Sequence, residues 1–245
     1  MSRPGYDELI RRAVEQARIH PSAAEALHFY AEIAAFQGIV YGELTASCTA
    51  ASLGTRNPEL RLLVERAGPR KLAEAARELD WADLLERFWA TRESSCETSA
   101  LFVKTLLQPW AEWRAERANI DPASQGKPLC PFCEGRPVAA ILRPEGHGAK
   151  RSLLCSMCLT EWSFPRVRCP ACGEWDFDRL PVYTAPEFEC VRVEACEGCR
   201  KYVKSVDLTK NGLALPVVDK LASLPLDLWA VEQGYSKLER NLLGF

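Results

Sequence analysis

Eight cysteines between residues 130 and 199 stand in four Cys-x-x-Cys pairs: Cys130/Cys133, Cys155/Cys158, Cys169/Cys172 and Cys196/Cys199. Two cysteines with two residues between them can place both sulfurs on one cation. Two such turns complete a thiolate tetrahedron with metal–sulfur bonds of about 2.3 Å for zinc. The arrangement is C-x2-C-x21-C-x2-C followed, after 10 residues, by C-x2-C-x23-C-x2-C. Two metal ions, iron or zinc, each in a four-cysteine site, are therefore expected, because an all-thiolate tetrahedron suits either metal. A closed four-thiolate shell has no open position for hydrolysis. No other constellation in the chain suggests catalysis, so the chain is read as a non-enzyme.

The two halves look like an internal repeat. One opens Cys130-Pro-Phe-Cys-Glu and the other Cys169-Pro-Ala-Cys-Gly, and corresponding pairs are offset by 39 and 41 residues. The repeat favours sequential pairing, 130/133 with 155/158 and 169/172 with 196/199. An interleaved pairing between the halves stays open on spacing alone. Cys190 is read as a half-buried residue on a strand, and Cys48 and Cys96 as helix-packing cysteines. His20, His28 and His147 are read as surface or packing residues rather than ligands. Arg151, Arg166, Arg168, Arg192, Arg200, Lys201 and Lys204 lie near the ligands in sequence, and their expected role is to offset the thiolate charge.

The elements that must position these turns divide the chain into parts. Before residue 126, Phe29, Ile33, Phe36, Val40 and Leu44 recur at helical spacing, as do Leu9, Ala13, Val14 and Ala17, and Trp81, Leu84, Leu85 and Phe88. Ser99 to Glu116 reads as a further helix that Pro109 kinks or restarts. A bundle of five to six helices follows, ended by a polar, turn-rich linker at 119–128. Val138–Leu142 and Phe188–Glu194 are β-patterned and suit hairpins that carry the metal turns. After residue 205 the pattern is helical again, with Pro225 leaving one helix or two. The expected fold class is α+β: a helical domain at 1–126, rubredoxin-like or zinc-ribbon modules at 127–165 and 166–205, and a helical tail at 206–245.

Composition bounds the function. The chain has 245 residues, a formal net charge of −2, 47% hydrophobic and 26% charged residues. That balance argues against a general nucleic-acid binder. No apolar run approaches the roughly 20 residues that span a bilayer, and the amphipathic start lacks a signal-peptide core. A cytoplasmic protein without membrane insertion is expected, where paired cysteines mean metal rather than disulfide.

The run Arg151-Ser-Leu-Leu-Cys-Ser-Met-Cys-Leu-Thr-Glu-Trp162, then Arg166 to Cys172, resembles the formate dehydrogenase accessory protein family FdhE. So do Glu194 to Lys204, the tail Asp219-Lys-Leu-Ala-Ser-Leu-Pro-Leu-Asp-Leu-Trp229, Glu232 to Tyr235 and Asn241. Leu27 to Ile33 with Gln37 is a softer match. The resemblance implies a cytoplasmic maturation factor with two rubredoxin-like metal modules, often associated with iron. It implies contact with the catalytic subunit of a molybdenum- or tungsten-dependent formate dehydrogenase and support of its assembly or activation. Members often carry Asp-Asp near the start of the tail, where this chain has Asp219-Lys220. Candidate client-contact residues are Glu161, Trp162, Arg166, Asp219 and Asp227. Trp162 and Glu161 have a second reading, in which the indole packs on the metal loop and the carboxylate pairs with an arginine. The tail from Leu221 to Trp229 is expected to dock through Leu224, Leu228 and Trp229.

Two rival functions follow from the same cysteines: a rubredoxin-like electron carrier and, less favoured, a nucleic-acid-binding zinc ribbon. For either metal, Cys130→Ser or Cys169→Ser is expected to unfold its local module and to leave the helical half intact.

Overall fold

The structure is a computed structural model that describes residues 4–76, 79, 81–91, 97–118 and 126–245, without the side chains of 81–83, 97 and 98. Most of the linker at 119–128 and Cys96 lie outside the described residues. Six helices come first: α1 (Tyr6–Ile19), α2 (Ala24–Gly42), α3 (Asn57–Ala67), α4 (Arg70–Ala76), α5 (Trp81–Thr91) and α6 (Glu97–Arg117). Helix α1 buries Leu9, Ala13, Gln16 and Ala17 along one face. Helix α2 is central and buries side chains on most sides, among them Leu27, Tyr30, Ile33, Gln37 and Val40. It ends before Leu44, which was expected on it. Leu84, Leu85 and Phe88 of α5 join the same core. Cys48 lies in the turn region after α2 rather than on a helix.

Helix α6 neither breaks nor restarts at Pro109, although proline removes the N–H that would bond the carbonyl of Thr105 four residues earlier. Gln37 supplies the missing donor: its Nε2 lies 3.2 Å from the Thr105 carbonyl and 3.0 Å from Gln108 Oε1. Gln37→Leu strands that carbonyl and a buried amide in an apolar core. The expected result is a loss of about 1–3 kcal/mol, measured by urea unfolding against wild type.

The remaining strands are β1 (Pro137–Glu145), β2 (Gly148–Cys155), β3 (Glu161–Ser163), β4 (Val182–Thr184), β5 (Val191–Ala195), β6 (Lys201–Asp207) and β7 (Ser236–Lys237). They form one sheet of order β3-β2-β1-β6-β5-β4, with β7 on β6. The two cysteine units therefore share a sheet instead of standing as separate hairpins. The seam is the parallel pairing of β1 with β6, Ala140 opposite Ser205 and Leu142 opposite Asp207. Two helices form, α7 (Pro216–Ala222) and α8 (Leu224–Glu232), which meet at Ser223 with Pro225 in the first turn of α8.

The tail docks differently from the expectation. Leu226 and Ala230 are its buried apolar anchors on α8, Leu224 and Trp229 are half-buried, and Leu228 is 62% exposed. The offset arises because α8 starts afresh after the break at Ser223, with Pro225 in its first turn, so its buried face is not continuous with that of α7. Tail and helical domain are joined by Arg12 of α1. Its guanidinium meets both Asp219 oxygens at 2.6 and 3.1 Å, and that carboxylate also accepts the Leu215 N–H at 2.7 Å, which closes the first turn of α7.

Candidate metal centres

All four knuckles share one backbone geometry. The N–H of the first cysteine donates to the carbonyl five residues on: Cys130 to Gly135, Cys155 to Thr160, Cys169 to Glu174 and Cys196 to Lys201, at 2.7–3.0 Å. The residue after the second cysteine adopts positive φ in every case: Glu134, Leu159, Gly173 and Arg200. The amides of Met157 and Ala171 point at the sulfurs of Cys155 and Cys169, each at 3.3 Å. The first centre also needs Gly135, because a Cβ there would lie 3.0 Å from the Cys155 sulfur. Only Gly173 carries a sequence signal for the left-handed position. The other three are ordinary residues held there by the knuckle bonds, which is why the sequence did not reveal it.

The eight cysteines assemble as two groups, Cys130/Cys133/Cys155/Cys158 and Cys169/Cys172/Cys196/Cys199, with sulfurs in each group within 4.8 Å of one another. The sequential pairing is thus the one the fold adopts. A metal–sulfur bond of about 2.3 Å in a regular tetrahedron places the sulfurs about 3.8 Å apart. The second group has 3.8 and 3.7 Å across Cys169/Cys199 and Cys172/Cys196. The first is tighter, at 3.4–3.5 Å. All are far longer than a disulfide bond, about 2.05 Å. Burial pushes the Cys155 thiol well above its ordinary range, whereas hydrogen bonds from neighbouring thiols pull Cys130 below its own; a cation is what would hold the whole set as thiolates. The donor set fits a zinc or iron ion in each group. Such an ion would tie together segments distant in the chain or, if iron, exchange one electron.

The centres differ in setting. The sulfurs of the first are buried in the same apolar cluster as the helices, beside Met157, Trp162 and Phe164. Gln108 of α6 donates to the carbonyl of Ser156, inside the second knuckle, at 3.2 Å. In the second centre Cys172 is exposed and Cys199 half-buried. His20 stacks on Phe188 with ring centroids 5.0 Å apart, and His28 and His147 are exposed, so no histidine reaches either group.

Of the candidate contact residues, three serve the interior. Trp162 is 1% exposed, packs in the core beside the first centre and donates its indole N–H to the Lys127 carbonyl at 2.9 Å. Asp219 is taken by Arg12. Asp227 is buried against Lys204 and Lys237, both at 2.6 Å, and the Tyr202 hydroxyl at 2.9 Å. Asp219 and Asp227 are corrected from contact surface to core, and Trp162 takes the packing reading of its two, because charge pairing and an indole hydrogen bond let polar groups lie inside. Glu161 is half-buried and accepts from both Nε and Nη2 of Arg143, at 2.9 and 2.7 Å. Arg166 alone of the five is exposed, and it donates to the Ala149 carbonyl at 3.3 Å.

The basic cluster is also reassigned in part. Arg151 and Arg192 both pair with Glu194, Arg200 with Glu197 and Lys204 with Asp227, so carboxylates rather than thiolates balance them. Lys220, which stands where the Asp-Asp pattern would put a second carboxylate, is buried with its ammonium on the Val138 carbonyl at 3.3 Å. Burial lowers its pKa well below the ordinary lysine value.

A helical domain joined through a shared mixed sheet to two closed tetra-cysteine centres defines a twin-centre metal-binding protein of α+β class. The sequence model of the FdhE central domain matches residues 129–166 and that of the FdhE C-terminal domain residues 167–243. A protein FdhE homolog of Aquifex aeolicus is 33% identical over 193 residues, which is 77% of this chain and 68% of that protein. Homologs from Shewanella oneidensis and Pseudomonas putida are 31% and 35% identical over 55% and 58% of this chain. The matches span only 44% and 47% of those two proteins, less than half of their length. The crystal structure of the FdhE protein from Pseudomonas aeruginosa shares the fold, with a TM-score of 0.73 at 23% identity over 99% of this chain and 97% of that one. The chain belongs to the FdhE family.

Proposed function

We propose that this chain is a non-catalytic, cytoplasmic accessory protein that binds the catalytic subunit of a molybdenum- or tungsten-dependent formate dehydrogenase and supports its assembly or activation. The observation that carries the reading is family membership together with two closed thiolate centres, which leave no coordination position for a substrate. In this reading the metals shape a binding scaffold. The buried polar residues of the tail motif, Asp219 and Asp227, keep that scaffold in one piece, and the client meets the outer surface. Among the described residues no helix is long and apolar enough to cross a membrane.

The test is capture of the catalytic subunit by tagged, metal-loaded protein, alongside formate dehydrogenase activity in a strain lacking the chain. Stable capture and lost activity are expected. Full activity in the deletion strain overturns the proposal. The exposed Cys172 favours a second reading, one-electron transfer at the second centre. Colourless protein with two zinc ions per chain after anaerobic purification ends that reading.

A further inference from the structure

Beside the second centre the sheet face and the loop 165–171 enclose an open cavity of about 190 Å³. Its apolar lining includes Val167, Phe177, Leu180, Val182, Val203 and Leu238. A cavity of about 150 Å³ accommodates benzene, so this one has room for one large apolar side chain. Phe177 is 73% exposed and its neighbour Trp175 81% exposed. Both aromatics stand on a braced loop. Glu174 accepts the N–H groups of Trp175 and Asp176 at 3.0 and 3.1 Å and pairs with Arg179 at 2.9 Å. The Glu197 N–H donates to the Arg179 carbonyl at 2.9 Å.

The charge around the cavity is uneven. Arg151, Arg166, Arg168, Arg192 and Lys201 line it, with Glu194 as the lining carboxylate. Glu194 is engaged by Arg151 and Arg192. Among the described residues Arg166 and Arg168 meet backbone carbonyls, of Ala149 and Gly126, and no carboxylate. The acids of the aromatic loop, Glu174, Asp176 and Asp178, lie outside the lining; Glu174 pairs with Arg179, and Asp176 caps its own turn by accepting the Asp178 N–H. A pre-positioned Trp and Phe next to arginines and an apolar cavity is the composition of an interface hot spot.

Resting on the accessory reading above, we infer that this cavity and its aromatic loop are where the client docks, by a peptide segment that inserts one apolar side chain between flanking carboxylates. A nucleic acid fits less well. Its strand requires a track of phosphate contacts and stacking platforms, whereas here two guanidiniums that meet no carboxylate among the described residues flank a cavity sized for a single side chain, on a chain of net charge −2.

The probe is a fluorescein-labelled eight-residue peptide alternating Glu and Leu, titrated by anisotropy onto the metal-loaded full chain. A Lys–Leu peptide and oligo(dT) serve as controls. The Glu–Leu peptide is expected to bind and to weaken with salt. In Phe177→Ala/Arg168→Glu its affinity is expected to fall at least about tenfold, with metal content and melting temperature unchanged. Equal binding by the variant, or binding of oligo(dT) or the Lys–Leu peptide as strong as that of the Glu–Leu peptide, overturns the inference. Capture of the catalytic subunit separates the two levels of argument. Loss of capture in Trp175→Ala/Phe177→Ala supports the surface. Equal capture by variant and wild type overturns the surface and leaves the accessory reading standing. Failure of wild type to capture it overturns the accessory reading itself.

Discussion

Cys130→Ser is expected to remove one metal ion per chain and much of the helical circular-dichroism signal, whereas Cys169→Ser removes one metal ion and leaves the helices folded. From the sequence, the two changes were expected to behave alike. The difference follows from where the centres sit. The first is continuous with the helical core, and its knuckle carbonyl at Ser156 takes a hydrogen bond from Gln108, which is itself held by Gln37. Structural zinc contributes roughly 10–16 kcal/mol in small modules, against a typical total stability of about 5–15 kcal/mol. Losing a ligand at the first centre therefore removes a term as large as the fold's whole margin. At the same time it leaves three buried thiols among apolar helices. The second centre lies at the turn that joins β5 to β6, with Cys172 in solvent, so its loss frays the knuckles at 169–173 and 196–200. Metal analysis with thermal melts at 222 nm checks this. Equal helix loss in the two variants would refute the asymmetry.

Asp227→Asn is expected to destabilise the chain by about 3–5 kcal/mol, or roughly 6–20 °C in melting temperature for a protein of this size. Lys204 has no exposed surface, and its ammonium has Asp227 at 2.6 Å together with the carbonyl of Ser223 at 3.0 Å and its hydroxyl at 2.9 Å. Lys237 meets the other oxygen of the same carboxylate. Removing the one negative charge strands two buried ammoniums, and stranded charge rather than a lost bond dominates the cost. Adding Lys204→Met should restore part of the loss, because it removes one of the stranded charges.

The pH dependence has a definite sign. Burial holds Lys204 down to about 7 in the wild type, below its ordinary value near 10.4 when unfolded. A lysine whose pKa is lowered on folding opposes folding while it is charged. That penalty is full below about pH 7 and declines between about pH 7 and 10, where the folded chain has released the proton and the unfolded chain still holds it. In Asp227→Asn the lost carboxylate lowers the folded-state pKa of Lys204 further, so the variant sheds that proton at lower pH and the deficit relative to wild type should shrink as the pH is raised toward 7, then level off. Chemical unfolding at about pH 5.5 and pH 8 reads this directly. A deficit that is constant across that range counts against the buried-charge account.

The cysteine ligands were legible because metal ligation by Cys-x-x-Cys is local. Two residues of spacing fix the reach of two sulfurs whatever surrounds them. The helices of the first half were legible in the same way, through spacing of apolar residues such as Phe29, Ile33, Phe36 and Val40. Pro109 was read correctly as a lost donor, yet the helix continues because Gln37, 68 residues away from the Thr105 carbonyl, replaces it. No local pattern contains that partner. Asp219 and Asp227 were misplaced for a related reason. Carboxylates are common on binding surfaces, and only the arrival of Arg12, Lys204 and Lys237 from elsewhere makes the interior habitable for them.

The sequence by itself determined that the chain carries two four-thiolate centres, that a helical half precedes them and that the ligands repeat as two units. These rest on interactions a few residues long. Only the tertiary structure decided that the units join in one sheet through β1 and β6, that one centre is sealed in the helical core while the other faces solvent, and that the exposed aromatics sit by the open one. Those are matters of which surfaces meet. Burial and charge pairing depend on partners tens to hundreds of residues apart, and no spacing rule reaches that far.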